Sequence, residues 1–159
     1  MNFILLILRS LRPKHWIKNL FVFLPVLFAG RFFSYPEIGF VAAGFVVFCI
    51  AASAGYLLND ILDRAADTGH PLKRKRVVAS GALTPGFAAG LAGIFSAAAV
   101  ISSFVLSGLF CWIVTVYLVL NFLYSCFPKR VVIVDVFCIG GFFLLRILAG
   151  SVLGGMLVS

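Results

Sequence analysis

Only five acidic residues occur in the 159-residue chain, and three of them, Asp60, Asp63 and Asp67, fall in one short run behind Asn59. If a helix continues through Asn59-Asp60-Ile61-Leu62-Asp63-Arg64-Ala65-Ala66-Asp67, the three carboxylates stand at i, i+3 and i+7 on one face. Asn59 and Asp63 are then also one turn apart. Carboxylates at this spacing repel one another, and nothing in helix formation rewards them. A divalent cation between them reverses the balance. An all-oxygen donor set suits Mg²⁺, which keeps waters and shares its shell with substrate phosphates. The plainer alternative is a solvated helix end paired with Arg64 and the basic residues that follow.

Those basic residues come at once, in His70-Pro71-Leu72-Lys73-Arg74-Lys75-Arg76. Cations beside a carboxylate–metal cluster are what a bound diphosphate needs. They would equally serve as a topological signal. His70, directly before a proline, reads as loop structure rather than as a ligand. Two further charges, Asp135 and Arg146, fall inside the last apolar run. They are about three helical turns apart, hence on nearly the same face. Intramembrane charges are costly and face a cavity or a partner. Asp135 is near enough to the polar end to join its site. Arg146 lies roughly 16 Å deeper along the axis, either as part of that site or as a structural ion pair or packing anchor. Cys49, Cys111, Cys126 and Cys138 form no CxxC pair and read as small apolar helix residues.

The elements that must hold these residues are membrane helices. The chain is 63% hydrophobic and 11% charged, where soluble domains run at about 45–50% apolar and about 25% charged. Helices of about 20 apolar residues cross a bilayer, and five candidates occur, at roughly 17–34, 37–58, 86–106, 109–127 and 131–156. A polar loop covers 59–85, Pro25 kinks the first span, and residues 1–11 suit a short interfacial helix. The net charge of +8 is spread over short segments between apolar runs, which speaks for lipid topology and against nucleic acid. Arg9, Arg12, Lys14, Lys18, Arg64, Lys73, Arg74, Lys75, Arg76, Lys129 and Arg130 all fall on one side if the N-terminus is cytoplasmic, and only Arg31 falls opposite. The expected fold is therefore all-α, a polytopic transmembrane helical bundle with its polar cluster on the cytoplasmic side.

Asn59-Asp60-x-x-Asp63-x-x-x-Asp67 resembles the NDxxDxxxD signature of the UbiA superfamily of intramembrane prenyltransferases. Arg12-Pro13-Lys14-His15-Trp16-Ile17-Lys18-Asn19 resembles the RPxxWxKN opening of its decaprenyl-phosphate phosphoribosyltransferase branch. His70-Pro71-Leu72-Lys73-Arg74-Lys75-Arg76 with Ala79-Ser80-Gly81 resembles that branch's HPxKRxRPxAxG. Tyr124-Ser125, Lys129, Asp135 and Gly141-Phe142-x-Leu144-x-Arg146-x-x-Ala149-Gly150 resemble a further block. The resemblance spans about residues 9–155. It implies Mg²⁺ held by Asn59, Asp60, Asp63 and Asp67, with the three aspartates as catalytic residues. Lys18, Lys73, Arg74, Arg76, Tyr124, Lys129, Asp135 and Arg146 would bind substrate. The implied reaction moves a 5-phosphoribosyl group from phosphoribosyl diphosphate to a polyprenyl phosphate, in cell-envelope biosynthesis at a bacterial inner (plasma) membrane. Prenyl transfer from a prenyl diphosphate to an aromatic or other acceptor is the alternative within the superfamily. A non-catalytic membrane protein is the alternative outside it.

Two departures stand out. Val77 occupies the place of a proline in the basic motif. The resemblance also implies about nine helices and a second polar motif, where this sequence offers five helices and no acid after Asp135. Residues 1–159 are thus expected to be a partial domain of this kind, inactive unless the remainder is supplied.

Overall fold

The structure, a computed structural model, describes residues 3–30, 36–126 and 132–156, and contains no β-strand among them. Helix α1 (Phe3–Leu11) leads into a 3-10 segment (Pro13–Phe23) and the short α2 (Leu24–Phe28). Then come α3 (Glu37–Leu62), the one-turn α4 (Arg64–Thr68), a 3-10 turn (Lys73–Lys75), α5 (Pro85–Leu106), α6 (Gly108–Cys126) and α7 (Val132–Leu153). Four of these, α3, α5, α6 and α7, are long and apolar enough to cross a membrane.

The segment expected as one kinked span over 17–34 is built differently. It is a 3-10 helix up to Phe23 and α-helical only from Leu24 to Phe28, and residues 31–34 lie outside the described ones. Pro25 supplies the reason. It has no N–H to give the Phe21 carbonyl, and that carbonyl accepts from the Leu24 N–H instead, the i→i+3 pattern of a 3-10 turn. The other four spans agree with expectation to within a few residues, except that α3 runs on through Asp60 to Leu62.

Helix α3 is central and packs on α1, the 3-10 segment, α5, α6 and α7. Its Ala51, Ala52, Ala54 and Gly55 are buried, and small side chains let neighbouring backbones come close where lipid gives no hydrophobic drive between helices. Phe48 stacks edge-on against Tyr117 of α6 at 5.2 Å and both belong to the main core with Val22, Val26, Ala149 and Leu153. The tightest crossing is that of α7 with the 3-10 segment. A Cβ added at Gly150 would lie 1.9 Å from the Val22 carbonyl oxygen, so only glycine permits this approach. A smaller cluster of Leu57, Val78, Leu83, Ala88 and Ala92 ties the basic loop to α3 and α5. Helix α5 starts on a Thr84 cap whose hydroxyl accepts the Phe87 N–H at 3.3 Å, with Pro85 at its first position.

Candidate functional site

The acidic run is nearly continuous helix. The Asp63 N–H donates to the Asn59 carbonyl at 2.9 Å and the Asp67 N–H to the Asp63 carbonyl at 2.8 Å, so the turn between α3 and α4 keeps Asp60, Asp63 and Asp67 on one side. All three converge on one guanidinium. Arg76 Nη1 lies 2.6 Å from Asp67 Oδ2, 3.4 Å from Asp60 Oδ1 and 4.0 Å from Asp63 Oδ2. Asp60 also receives a hydrogen bond from Arg12 Nη2. Asn59 Nδ2 donates to Asp63 Oδ2 at 3.0 Å. Asp60 and Asp67 are buried at 2% exposure and are thus held between arginines rather than open to a ligand. Among the described residues no group of three or more His, Cys, Asp and Glu is gathered as a metal site.

The loop carrying Arg76 is ordered locally. His70 Nδ1 accepts the N–H groups of Leu72 (3.2 Å) and Lys73 (3.3 Å), which folds the Lys73–Lys75 turn. Two residues after Arg76, the fully buried Val78 anchors the chain. Arg12 is held from the other side at an unusual cost. Its φ of 52° and ψ of 58° are left-handed, and it is the one non-glycine residue with positive φ among the described residues. That conformation costs about 1–2 kcal/mol. It turns the Arg12 side chain over the Tyr56 ring at 5.2 Å and onto Asp60.

A cavity of ≈ 300 Å³ opens beside this cluster, with Arg12, Asn59, Asp63, Lys73 and Arg76 at its mouth and Lys18 also in its lining. Tyr124 and Ser125 of α6 border the same end, and Tyr117, Phe142 and Arg146 lie at the far end. Tyr117 to Tyr124, like Ile139 to Arg146, is seven residues, so the cavity is roughly 10 Å deep along the helices. Gly55 lets Asn121 into the wall, since a Cβ there would stand 2.8 Å from Asn121 Oδ1.

Arg146 at the floor is 5% exposed. Its Nε donates to Asn19 Oδ1 (2.8 Å), Nη1 to the Phe142 carbonyl (2.6 Å) and Nη2 to the Tyr117 hydroxyl (3.0 Å). Its guanidinium carbon stands 5.0 Å from the Tyr117 ring centre. The structural ion pair that the sequence allowed for Arg146 is absent among the described residues.

The structure thus brings Lys18, Asn59, Asp63, Lys73, Arg76, Tyr124 and Arg146 to one cavity. Asp60 and Asp67 sit behind its arginines. Asp135 does not line it. Arg74 is exposed and does not line the cavity, and Lys129 is outside the described residues. Sequence reasoning gave no site role to Arg12, Tyr56, Asn19, Tyr117 or Asn121. The Arg12-Pro13 and Lys18-Asn19 pairs were the available signal for Arg12 and Asn19. Nothing in the sequence pointed to Tyr117 or Asn121.

A profile of the UbiA prenyltransferase family matches residues 19–158. A decaprenyl-phosphate phosphoribosyltransferase of Corynebacterium glutamicum is 39% identical over 157 residues, covering 96% of this chain and 47% of that protein. One from Mycolicibacterium smegmatis is 35% identical over 150 residues, 92% of this chain and 47% of the relative. The nodulation protein NoeC of Azorhizobium caulinodans is 34% identical over 145 residues, 88% of this chain and 45% of the relative. The chain therefore spans about half the length of the curated relatives it matches. Four apolar helices of spanning length, the motif residues around one cavity and a match over most of the sequence make this integral membrane chain a member of the UbiA prenyltransferase family.

Proposed function

We propose that the protein takes part in transferring a 5-phosphoribosyl group from phosphoribosyl diphosphate to a polyprenyl phosphate. The observation that carries this reading is the cavity itself, which has cationic side chains at both ends, Arg12, Lys73 and Arg76 at the mouth and Arg146 at the floor. A prenyl diphosphate is anionic at one end and apolar at the other, so it would leave Arg146 facing hydrocarbon. The names of the relatives favour the same reaction. The one-sided distribution of basic residues along the sequence, with Arg12, Lys73 and Arg76 at the mouth, supports placing it on the cytoplasmic side of a bacterial inner membrane.

In the reaction, the bond from ribose C1 to the diphosphate oxygen breaks, and an oxygen of the lipid phosphate bonds to C1. Arg12, Lys73 and Arg76 face the mouth, where charge develops on the departing diphosphate, and oppose it electrostatically. Asp60 and Asp67 hold those arginines in place. The donors near the mouth are oxygens of Asn59 and the aspartates, a set that fits Mg²⁺. Asn59 and Asp63 would hold the ion from the cavity wall, with Asp60 and Asp67 behind them on Arg12 and Arg76. Bound there, Mg²⁺ would neutralise charge on the leaving diphosphate. Lys18 and Tyr124 would line the donor pocket.

The test is label transfer in membranes expressing the complete reading frame, given labelled phosphoribosyl diphosphate, Mg²⁺ and a polyprenyl phosphate. Label in the lipid fraction, lost in Asp63→Ala, is expected. Turnover of a prenyl diphosphate with an aromatic acceptor, and none of phosphoribosyl diphosphate, would overturn the reading.

A further inference from the structure

We infer that Arg146, with Tyr117, forms a second anion subsite at the cavity floor, and that this subsite takes a phosphate monoester. The reasoning begins with charge. Every acid of the chain, Glu37, Asp60, Asp63, Asp67 and Asp135, belongs to the described residues. Asp60, Asp63 and Asp67 are engaged by Arg12 and Arg76. Glu37 opens the opposite end of α3, and Asp135 is roughly 16 Å from Arg146 along α7. Arg146 is nonetheless buried, and its three hydrogen-bond acceptors are an amide, a peptide carbonyl and a phenol, all neutral. A guanidinium has five N–H groups, so two are left, on a side chain that lines the cavity.

Within residues 1–159 this buried cation meets only neutral partners, which is unfavourable until an anion is supplied. The fold nevertheless holds this one rigidly, through the Gly150 crossing one turn later and rings on several sides. Phe48 and Phe143 flank the guanidinium at 5.8 and 5.7 Å. Such preorganisation matches a planar two-donor grip on a phosphate oxygen pair. The floor is about 10 Å from the mouth, too far for one diphosphate to occupy both. The cavity therefore accepts a diphosphate at the mouth and a monoester at the floor. The monoester is either the sugar phosphate of the donor or the headgroup of a lipid monophosphate. The inference rests on the proposed reaction only for these two candidate sources.

The experiment uses the complete reading frame purified in detergent, and measures binding of ribose 5-phosphate, farnesyl phosphate and Mg²⁺-pyrophosphate. Ribose and farnesol serve as uncharged counterparts. Two variants are compared with the wild type. Arg146→Gln removes the charge, and Asn19→Asp keeps the arginine but places a carboxylate against it, pre-empting the ligand. At least a tenfold loss of one monophosphate in both variants is expected, with pyrophosphate binding within about twofold of the wild type. The monophosphate affected identifies the source. If Arg146→Gln does not fold, Asn19→Asp decides alone, because it retains the packing. Monophosphate binding unchanged in Asn19→Asp, or pyrophosphate binding that falls in parallel, would overturn the inference. Failure of label transfer with this binding pattern intact would instead count against the proposed reaction alone.

Discussion

Replacing Gly150 by alanine tests whether the α7 crossing sets the floor of the cavity. The new Cβ would stand 1.9 Å from the Val22 carbonyl oxygen, 2.9 Å from its carbon and 3.1 Å from Pro25 Cδ, where ordinary contact begins at 3.4 Å. Both close neighbours are backbone, so α7 and the 3-10 segment must part by about 1.5 Å, the difference between the first and last of these distances. Arg146 lies one turn before Gly150 on the same face. A displacement of that size stretches its 2.8 Å bond to Asn19 beyond hydrogen-bonding range. Overpacking costs about 1–3 kcal/mol, and a lost hydrogen bond to a charged group about 1.5–3 kcal/mol. The total is roughly 2.5–6 kcal/mol. Thermal unfolding in detergent is the assay, with a fall in Tm of several degrees expected together with weakened monophosphate binding. Gly140→Ala is the control on the same helix, because a Cβ there meets nothing within 4 Å. In the 159-residue chain it should be neutral or stabilise by up to about 1 kcal/mol. Equal Tm values for Gly150→Ala and the wild type would refute the reasoning, since the backbone approach would then not be a constraint.

Further outcomes follow from the acidic cluster and its neighbours. Asp67→Asn should destabilise the fold by about 2 kcal/mol, below the roughly 3–5 kcal/mol for breaking a buried pair, because Arg76 is 23% exposed and keeps Asp60 at 3.4 Å. A double-mutant cycle with Arg76→Gln should return about 1–2 kcal/mol of coupling, and strict additivity would show that the pair does not act as one unit. His70→Ala removes the acceptor for two N–H groups, so pyrophosphate binding should weaken a few-fold through the loosened Lys73 turn, with little change in Tm. Asp63→Ala should abolish the Mg²⁺-dependent part of pyrophosphate binding and leave the part measured with chelator. Burial, and then the charges of Arg12 and Lys18, push the His15 imidazole below its usual range. As the pH falls through that usual range the unfolded chain protonates first, so stability declines; a denaturation series on His15→Gln should lack this component.

Membrane character, four of the spans and the chemical content of the mouth follow from the sequence for local reasons. Apolar runs near 20 residues satisfy every backbone group inside one helix, and residues at i, i+3 and i+7 share a face wherever the helix goes. Asp60, Asp63 and Asp67 needed only the continuation of α3 to come together, and the basic loop is their neighbour in the chain. The first span is the exception among the elements. Its composition is that of a membrane helix, but Pro25 withholds one N–H and the backbone takes the 3-10 pattern up to Phe23.

What only the tertiary structure decided is which charges meet. Asp60 and Asp67 could have faced a cation directly, yet in the fold they hold Arg12 and Arg76, partners separated from them by 48 and 9 positions. The environment of Arg146 is still less local, since Asn19 lies 127 residues away and Tyr117 29. The close passage of Gly150 over Val22 brings these groups to one point. Periodicity along a single helix carries no information about such a crossing, because the distance is set by two backbones meeting, and the buried charge it creates belongs to neither segment alone.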